Sequence, residues 1–414
     1  MTPLTRVVVT GLGVVSANGM TVESFWENVR DGKTSIGTVT GFNTSDFTSN
    51  RGGEIPDFDI SDVIPDTPEV LQYGRAKQMA LVAAKQCITD AAYDMAADPF
   101  RVGVVIGTTM GESKSLECCT DFVSDQISNQ ASDQVSNQGA GEALPAHMAA
   151  DYPPHTIPQA IAGFFGAWGP VMMIPNACAA GNFSVGYALD CIQKGEVDAM
   201  IAGGTDAFSR YAYSGFSRLG AISPELPRPF SADRQGMIPG EGAAMLFLES
   251  LESAVKRGAR IYAEVAGYGE SCDAHHITQP DEAGIARAMH KALETADVGP
   301  EDISFVSVHG TGTQANDATE TKALKSVFKG KTPVTSVKSM IGHAMGAASS
   351  IECVAALLSM HHGHITPTAN YSTRDPDCDV DCVPNVGRST PVEYILKTSS
   401  AFGGNNASVI FKKV

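Results

Sequence analysis

Residues Pro170–Asn182 (PVMMIPNACAAGN) and their later counterpart Pro333–Ala347 (PVTSVKSMIGHAMGA) decide the fold. In both, a short apolar strand runs into a helix rich in small residues. Three further pairs of segments match in the same order. Thr5–Gly13 (TRVVVTGLG) pairs with Ala259–Gly269 (ARIYAEVAGYG), Arg101–Gly111 (RVGVVIGTTMG) with Ser304–Thr313 (SFVSVHGTGT), and Gly240–Glu249 (GEGAAMLFLE) with Gly403–Lys412 (GGNNASVIFK). Four matches in order imply two copies of one α/β unit. Continuous apolar strands such as VGVVIG alternate with helical patterns, which implies sheets buried on both faces. Ile285, Ala288, Met289, Ala292, Leu293 and Ala296 fall on one helical face, and Arg75–Met95 is the expected equivalent in the first copy. The expected architecture is a layered α-β-α-β-α core of two duplicated halves, residues 1–251 and 252–414, the first enlarged by an insertion at about 113–165.

Composition narrows the function. The chain has 414 residues, 43% hydrophobic and 18% charged, enough to bury a large core. A net charge of −17 argues against a nucleic-acid surface, which needs cations. The start, MTPLTRVVVTGLG, lacks the length and cleavage pattern of a secretory signal, so the cytoplasm is expected. Thr156–Leu189 carries no charge, but Pro158, Pro170 and Pro175 divide it into pieces too short for a membrane span. Nine cysteines without CxxC spacing make neither a disulfide framework nor a zinc site. His275-His276 and His361-His362 lack the carboxylate or thiolate partners that would complete a metal site. Cys378 and Cys382 read as an acidic surface loop; Ser124–Gln138, polar except for Ile127, Ala131 and Val135 at a spacing of four, reads as a solvated or mobile segment, with a thin amphipathic helix at a partner surface as the alternative. The Gly-rich turns lack nucleotide-binding patterns.

Three residues stand out for chemistry. Cys178 sits at a strand-to-helix turn among Ala177, Ala179, Ala180 and Gly181. A helix N-terminus favours thiolate, and small neighbours leave room for a substrate. The second copy carries Lys338–His343 at the turn read as equivalent, and His309 at the end of the preceding strand. If the copies are related by a pseudo-twofold axis, a thiol and two imidazoles converge on one cleft.

At these residues the sequence resembles the β-ketoacyl synthases, condensing enzymes of fatty-acid and polyketide synthesis with a thiolase-type fold. The resemblance runs from VVVTGLGVVSANG through NACAAGN, RPFSADRQGMIPGEGAAM, HGTGTQAND and KSMIGHAMGAASSIE to AFGGNNASVIFKK. It implies that Cys178 is the acyl-accepting nucleophile, that His309 and His343 are the catalytic histidines, and that Lys338 is the active-site lysine. Glu352 matches a carboxylate on the following helix, and Phe402 the gating residue whose N–H completes an oxyanion hole. Thr311 and Thr313 match the threonines that meet phosphopantetheine, and Met110 a residue against the acyl pocket. The implied reaction is decarboxylative condensation of an acyl thioester with malonyl-acyl carrier protein, without metal or redox cofactor. The implied partners are an acyl carrier protein and a second ketosynthase-type chain, identical or a sister. Two other readings are a chain-length-factor-like subunit, against which Cys178 speaks, and a thiolase or simple acyltransferase on the same fold. A thiolase is expected to place a second cysteine in the last Gly-rich turn, and Gly403–Asn406 has none. Ser400, Ala401 and Asn405 depart from the family pattern, which points to a differently shaped pocket. Pro65–Gln72 is acidic where such enzymes often present a basic helix, and Lys322, Lys325, Lys329 and Lys331 form the alternative basic rim for an acidic carrier.

Overall fold

A computed structural model describes residues 4–64, 67–132, 146–329 and 332–414. Ten strands form the main sheet system. The first five are β1 (Val7–Ser16), β2 (Val102–Gly107), β3 (Val171–Ile174), β4 (Ala199–Asp206) and β5 (Gly242–Ser250). The second five are β6 (Ala263–Cys272), β7 (Phe305–Ser307), β8 (Val334–Thr335), β9 (Tyr394–Ser400) and β10 (Asn405–Lys412). From its outer edge, each set of five runs third, second, fourth, fifth, first. In each, the outer three strands are parallel and the inner pairings antiparallel. Identical order and polarity establish the duplication. Among the described residues the two sets pair through Val8 with Glu264 and Val9 with Ala263, a short antiparallel bridge between β1 and β6.

Helix α1 (Arg75–Ala91) covers β1 and β5 on one outer face, and α3 (Glu282–Ala296) covers β6 and β10 on the other. Between the sheets lie α2 (Ala180–Gln193) and α5 (Ala348–His362), each in contact with strands of both sets. Helix α4 (Gln314–Phe328) packs beside α3. The five expected layers follow, with one core between the sheets and one under each outer layer. The periodicity read for α3 holds: Ile285, Ala288, Met289, Ala292 and Leu293 are buried. Asp281 caps its N-terminus, accepting from the Gly284 N–H at 2.9 Å.

One expectation changes, and one left open is partly decided. Cys378 and Cys382 are buried in the outer core of the second half rather than in a surface loop. The neighbouring Asp379 and Asp381 pair at the surface with Arg374 and Arg388, while Asp375 pairs with the buried Arg234. The segment from Ser124 is helical as far as Ser132, within a helix Ser113–Ser132. Its first half is anchored: Glu117 accepts from Ser209 Oγ and the Tyr211 N–H, both at 3.0 Å, and Arg210 pairs with Asp121 at 2.6 Å. The rest of that segment, to Gln138, lies outside the described residues. The uncharged stretch Thr156–Leu189 divides into a helix, β3 and most of α2, and among the described residues no helix is long and apolar enough to cross a membrane.

Candidate active site

Cys178 sits on a single helical turn, Ala177–Ala179, between β3 and α2. The turn opens with Ala177 at a φ of +48°, a left-handed conformation that alanine rarely adopts. The same device recurs in the second half, where Met345 (φ +50°) opens the turn Met345–Ala347 before α5. Gly346, not the Lys338–His343 turn, is therefore the counterpart of Cys178. Lys338–His343 comes just before it, because the second copy inserts an extra helical turn, Lys338–Ile341, after β8. The convergence inferred from the sequence is nonetheless present. Cys178, His309 and His343 line one cavity of about 350 Å³ with Thr311, Thr313, Ser400 and Phe402.

Each imidazole is fixed by its own loop. The His309 and Gly310 N–H groups donate to Glu320 at 2.7 and 2.8 Å. The His343 N–H donates to the Ile238 carbonyl at 2.7 Å, and its ring stands nearly perpendicular to that of His309 with centroids 5.4 Å apart. His343 Nδ1 accepts from the Met345 N–H at 3.1 Å, so the ring proton is on Nε2. His309 Nδ1 lies 3.3 Å from Lys338 Nζ, a group with only protons to offer, which selects the same tautomer. Burial and then the Lys338 charge push both histidines well below the ordinary range. Two neutral Nε2–H donors result, suited to an oxyanion.

Lys338 stands behind His309 rather than in the cavity lining. Its three protons meet three acceptors: Glu352 Oε1 at 2.5 Å, the His309 carbonyl at 2.8 Å and His309 Nδ1. The expected partnership with Glu352 is thus present, fully buried. Burial pulls the lysine below its ordinary range, with Glu352 acting in the opposite direction. The thiolate expected at Cys178 is reversed: burial pushes the thiol up to about 12, and Lys338 offsets this only in part.

Thr311 and Thr313 share a hydrogen bond at 2.9 Å, and Thr313 caps α4. Phe402 occupies a tight turn held by Gly403 N–H to the Ile277 carbonyl at 2.7 Å. Its ring meets Phe216 at 5.9 Å. Met110 does not line the cavity. Its side chain is partly exposed, and its N–H donates to Asp206 at 2.9 Å. Asp206, which the sequence reading passed over, also accepts from Thr108 Oγ1 and from the Thr109 and Gly346 N–H groups, so it ties the β2 turn to the turn before α5. Lys397 was missed as well; a lysine directly after the apolar pair Ile395-Leu396 in a strand was the available signal.

A layered duplicated fold with a thiol and two neutral imidazoles at the junction of its halves defines a thiolase-type condensing enzyme. The family descriptions "Beta-ketoacyl synthase, N-terminal domain" and "Beta-ketoacyl synthase, C-terminal domain" match residues 4–254 and 262–372. The chain belongs to the β-ketoacyl synthase family, and is a condensing acyltransferase. It is 38% identical over 427 residues to a 3-oxoacyl-[acyl-carrier-protein] synthase 2 of Synechocystis sp., covering 99% of this chain and 98% of the relative. It is equally 38% identical to a putative polyketide beta-ketoacyl synthase 1 of Streptomyces halstedii, covering 98% and 97%. Among solved structures, the ishigamide ketosynthase/chain length factor superposes with a TM-score of 0.93 at 42% identity over the whole of both chains. A type II polyketide acyl-carrier protein in complex with its ketosynthase bound to the hexaketide matches with a TM-score of 0.89 at 33% identity, again over both whole chains.

Proposed function

We propose that the chain condenses an acyl thioester with malonyl-acyl carrier protein in fatty-acid or type II polyketide synthesis, and that Cys178, His309 and His343 carry the chemistry. The observation that bears most weight is the pair of Nε2–H tautomers beside a thiol in one cavity. Cys178 sulfur attacks the acyl thioester, the acyl group moves to Cys178, and the thiol proton ends on the departing phosphopantetheine thiol. The malonyl thioester then loses CO2. The breaking C–C bond leaves its electron pair on the enolate, whose oxygen takes hydrogen bonds from His309 and His343. The enolate carbon attacks the acyl group, the C–S bond breaks, and Cys178 regains a proton. With both Nδ1 lone pairs engaged, the imidazoles serve as donors throughout.

Lys338 orients His309 in this scheme, with Glu352 as its counter-ion. Thr311 and Thr313 meet the phosphopantetheine arm, and the Phe402 N–H helps to form the hole for the acyl oxygen. Substrates arrive on the phosphopantetheine of an acyl carrier protein, and no metal or redox cofactor of the enzyme takes part. The functional division falls at 251/252, with the nucleophile in one half and the histidines in the other. The partner chain is a second copy or a sister ketosynthase-type chain, and the compartment is the cytoplasm. Lys322 on α4 and Lys329 at its C-terminal cap are exposed, and the first residues of α4 line the cavity. They supply a basic face for an acidic carrier, while Lys331 lies outside the described residues.

Intact-mass measurement tests the reading. Wild type should gain one acyl group from acyl carrier thioesters and Cys178→Ala none, with condensation lost at least ~10³-fold. A Cys178→Ala enzyme that condensed at the wild-type rate would remove the basis of the proposal.

A further inference from the structure

Lys397 is fully buried in β9, and the reaction scheme above leaves it idle. Its ammonium lies 2.8 Å from Glu352 Oε2, donates to Ser399 Oγ at 2.9 Å and also to the Thr398 carbonyl. The other oxygen of Glu352 holds Lys338, which reaches His309. One carboxylate therefore serves two ammonium groups, and polar contacts run unbroken from Lys397 through Glu352 and Lys338 to the cavity.

Burying an ion costs several kcal/mol, and a single counter-ion shared by two cations leaves one of them half compensated. Other groups nearby do little to restore balance. Glu320 is pushed up to about 7 by burial, so near neutral pH it bears only part of a negative charge. Burial also keeps the Cys353 thiol at about 12, hence uncharged, and the two imidazoles and Cys178 are uncharged too. Asp206 also acts on the cavity, but its oxygens are taken up by Thr108 Oγ1 and the Thr109, Met110 and Gly346 N–H groups, so among the described residues Glu352 is the one carboxylate paired with Lys338 and Lys397. A buried excess of positive charge attracts an anion, and of the two acyl groups only malonyl carries one next to its thioester.

We propose that Lys397 is a positioning residue for the decarboxylating half-reaction: by sharing Glu352 with Lys338 it leaves an uncompensated positive charge behind the cavity, which favours the anionic malonyl group and its enolate over the neutral acyl thioester. This rests on the condensing function proposed above. As CO2 departs, the negative charge moves from the carboxylate to the thioester oxygen and stays within reach of the same field. Sharing also loosens the hold of Glu352 on Lys338, so that Lys338 keeps protons free for His309.

The test separates the two half-reactions. Lys397→Met should slow malonyl decarboxylation on the acylated enzyme ~10-fold more than it slows acyl transfer to Cys178. Its acid limb should also move to higher pH, because the Lys397 charge helps to hold His309 and His343 down. Lys397→Gln retains hydrogen-bonding capacity without charge and should show the same ratio and the same displaced limb. Equal losses in both half-reactions, an unmoved limb, or a Lys397→Gln enzyme with the wild-type ratio would overturn the proposal. So would failure of both neutral variants to fold while Lys397→Arg folds and turns over normally, which assigns the ammonium to the scaffold. Absence of Cys178 acylation in the wild type is a different result, and it counts against the underlying function instead.

Discussion

Cys178 combines a position that invites attack with an environment that keeps it protonated. The left-handed Ala177 opens its turn at the cavity, while burial pushes the thiol up to about 12. Its reactivity toward a neutral alkylating agent should therefore rise with pH up to the limit of protein stability, by about tenfold per unit, with no plateau at neutral pH. Iodoacetamide labelling followed by mass spectrometry measures this. Lys338→Met should slow labelling at every pH, since the cation is the main influence lowering the thiol. The residues with motif context, Cys178, His309, His343 and Lys338, were legible because each sits at a strand end of a recognisable repeat. Lys397, Asp206 and Glu320 were not. Their roles depend on contacts that no motif announces: Glu352 for Lys397, the distant Gly346 N–H for Asp206, and for Glu320 the His309 N–H eleven residues back across the turn.

The central helices hold the two turns against each other. At Gly181, in the first turn of α2, a Cβ would sit 2.1 Å from Ser350 Oγ and 2.8 Å from the Ser350 backbone nitrogen of α5. The hydroxyl can rotate away, but the backbone cannot, so Gly181→Ala must part the helices. Overpacking of this kind costs about 1–3 kcal/mol. Because Cys178 precedes α2 and His343 precedes α5, the same shift separates thiol from imidazole. A lower melting temperature together with slower Cys178 acylation is expected, and an unchanged acylation rate in a destabilised variant would show that the helix contact does not set the geometry. At this scale the repeat was readable from the first, second, third and fifth strands of each half. The fourth pair, β4 and β9, escaped comparison: AMIAGGTD is small and apolar, whereas YILKTSS carries the buried Lys397.

At the scale of the whole molecule, the outer edge of the first half is open and apolar. Val171 and Met172 on β3 are 43% and 40% exposed, and Trp168 just before them is 62% exposed. An edge strand of this composition is a template for pairing with another chain. Met172→Lys would place a charge in that contact and should weaken association about tenfold. Sedimentation against wild type over a concentration series measures this; unchanged association would put the interface elsewhere. By itself the sequence determined the duplication, the layered class and the three side chains proposed to react, since strand patterning and turn motifs are local and survive in one dimension. Only the tertiary structure decided that Gly346 mirrors Cys178, that the thiol rests protonated, that both imidazoles carry their proton on Nε2, and that two lysines share Glu352. Those properties arise from burial and from contacts between segments far apart in the chain, which bring charges together in a medium that cannot screen them.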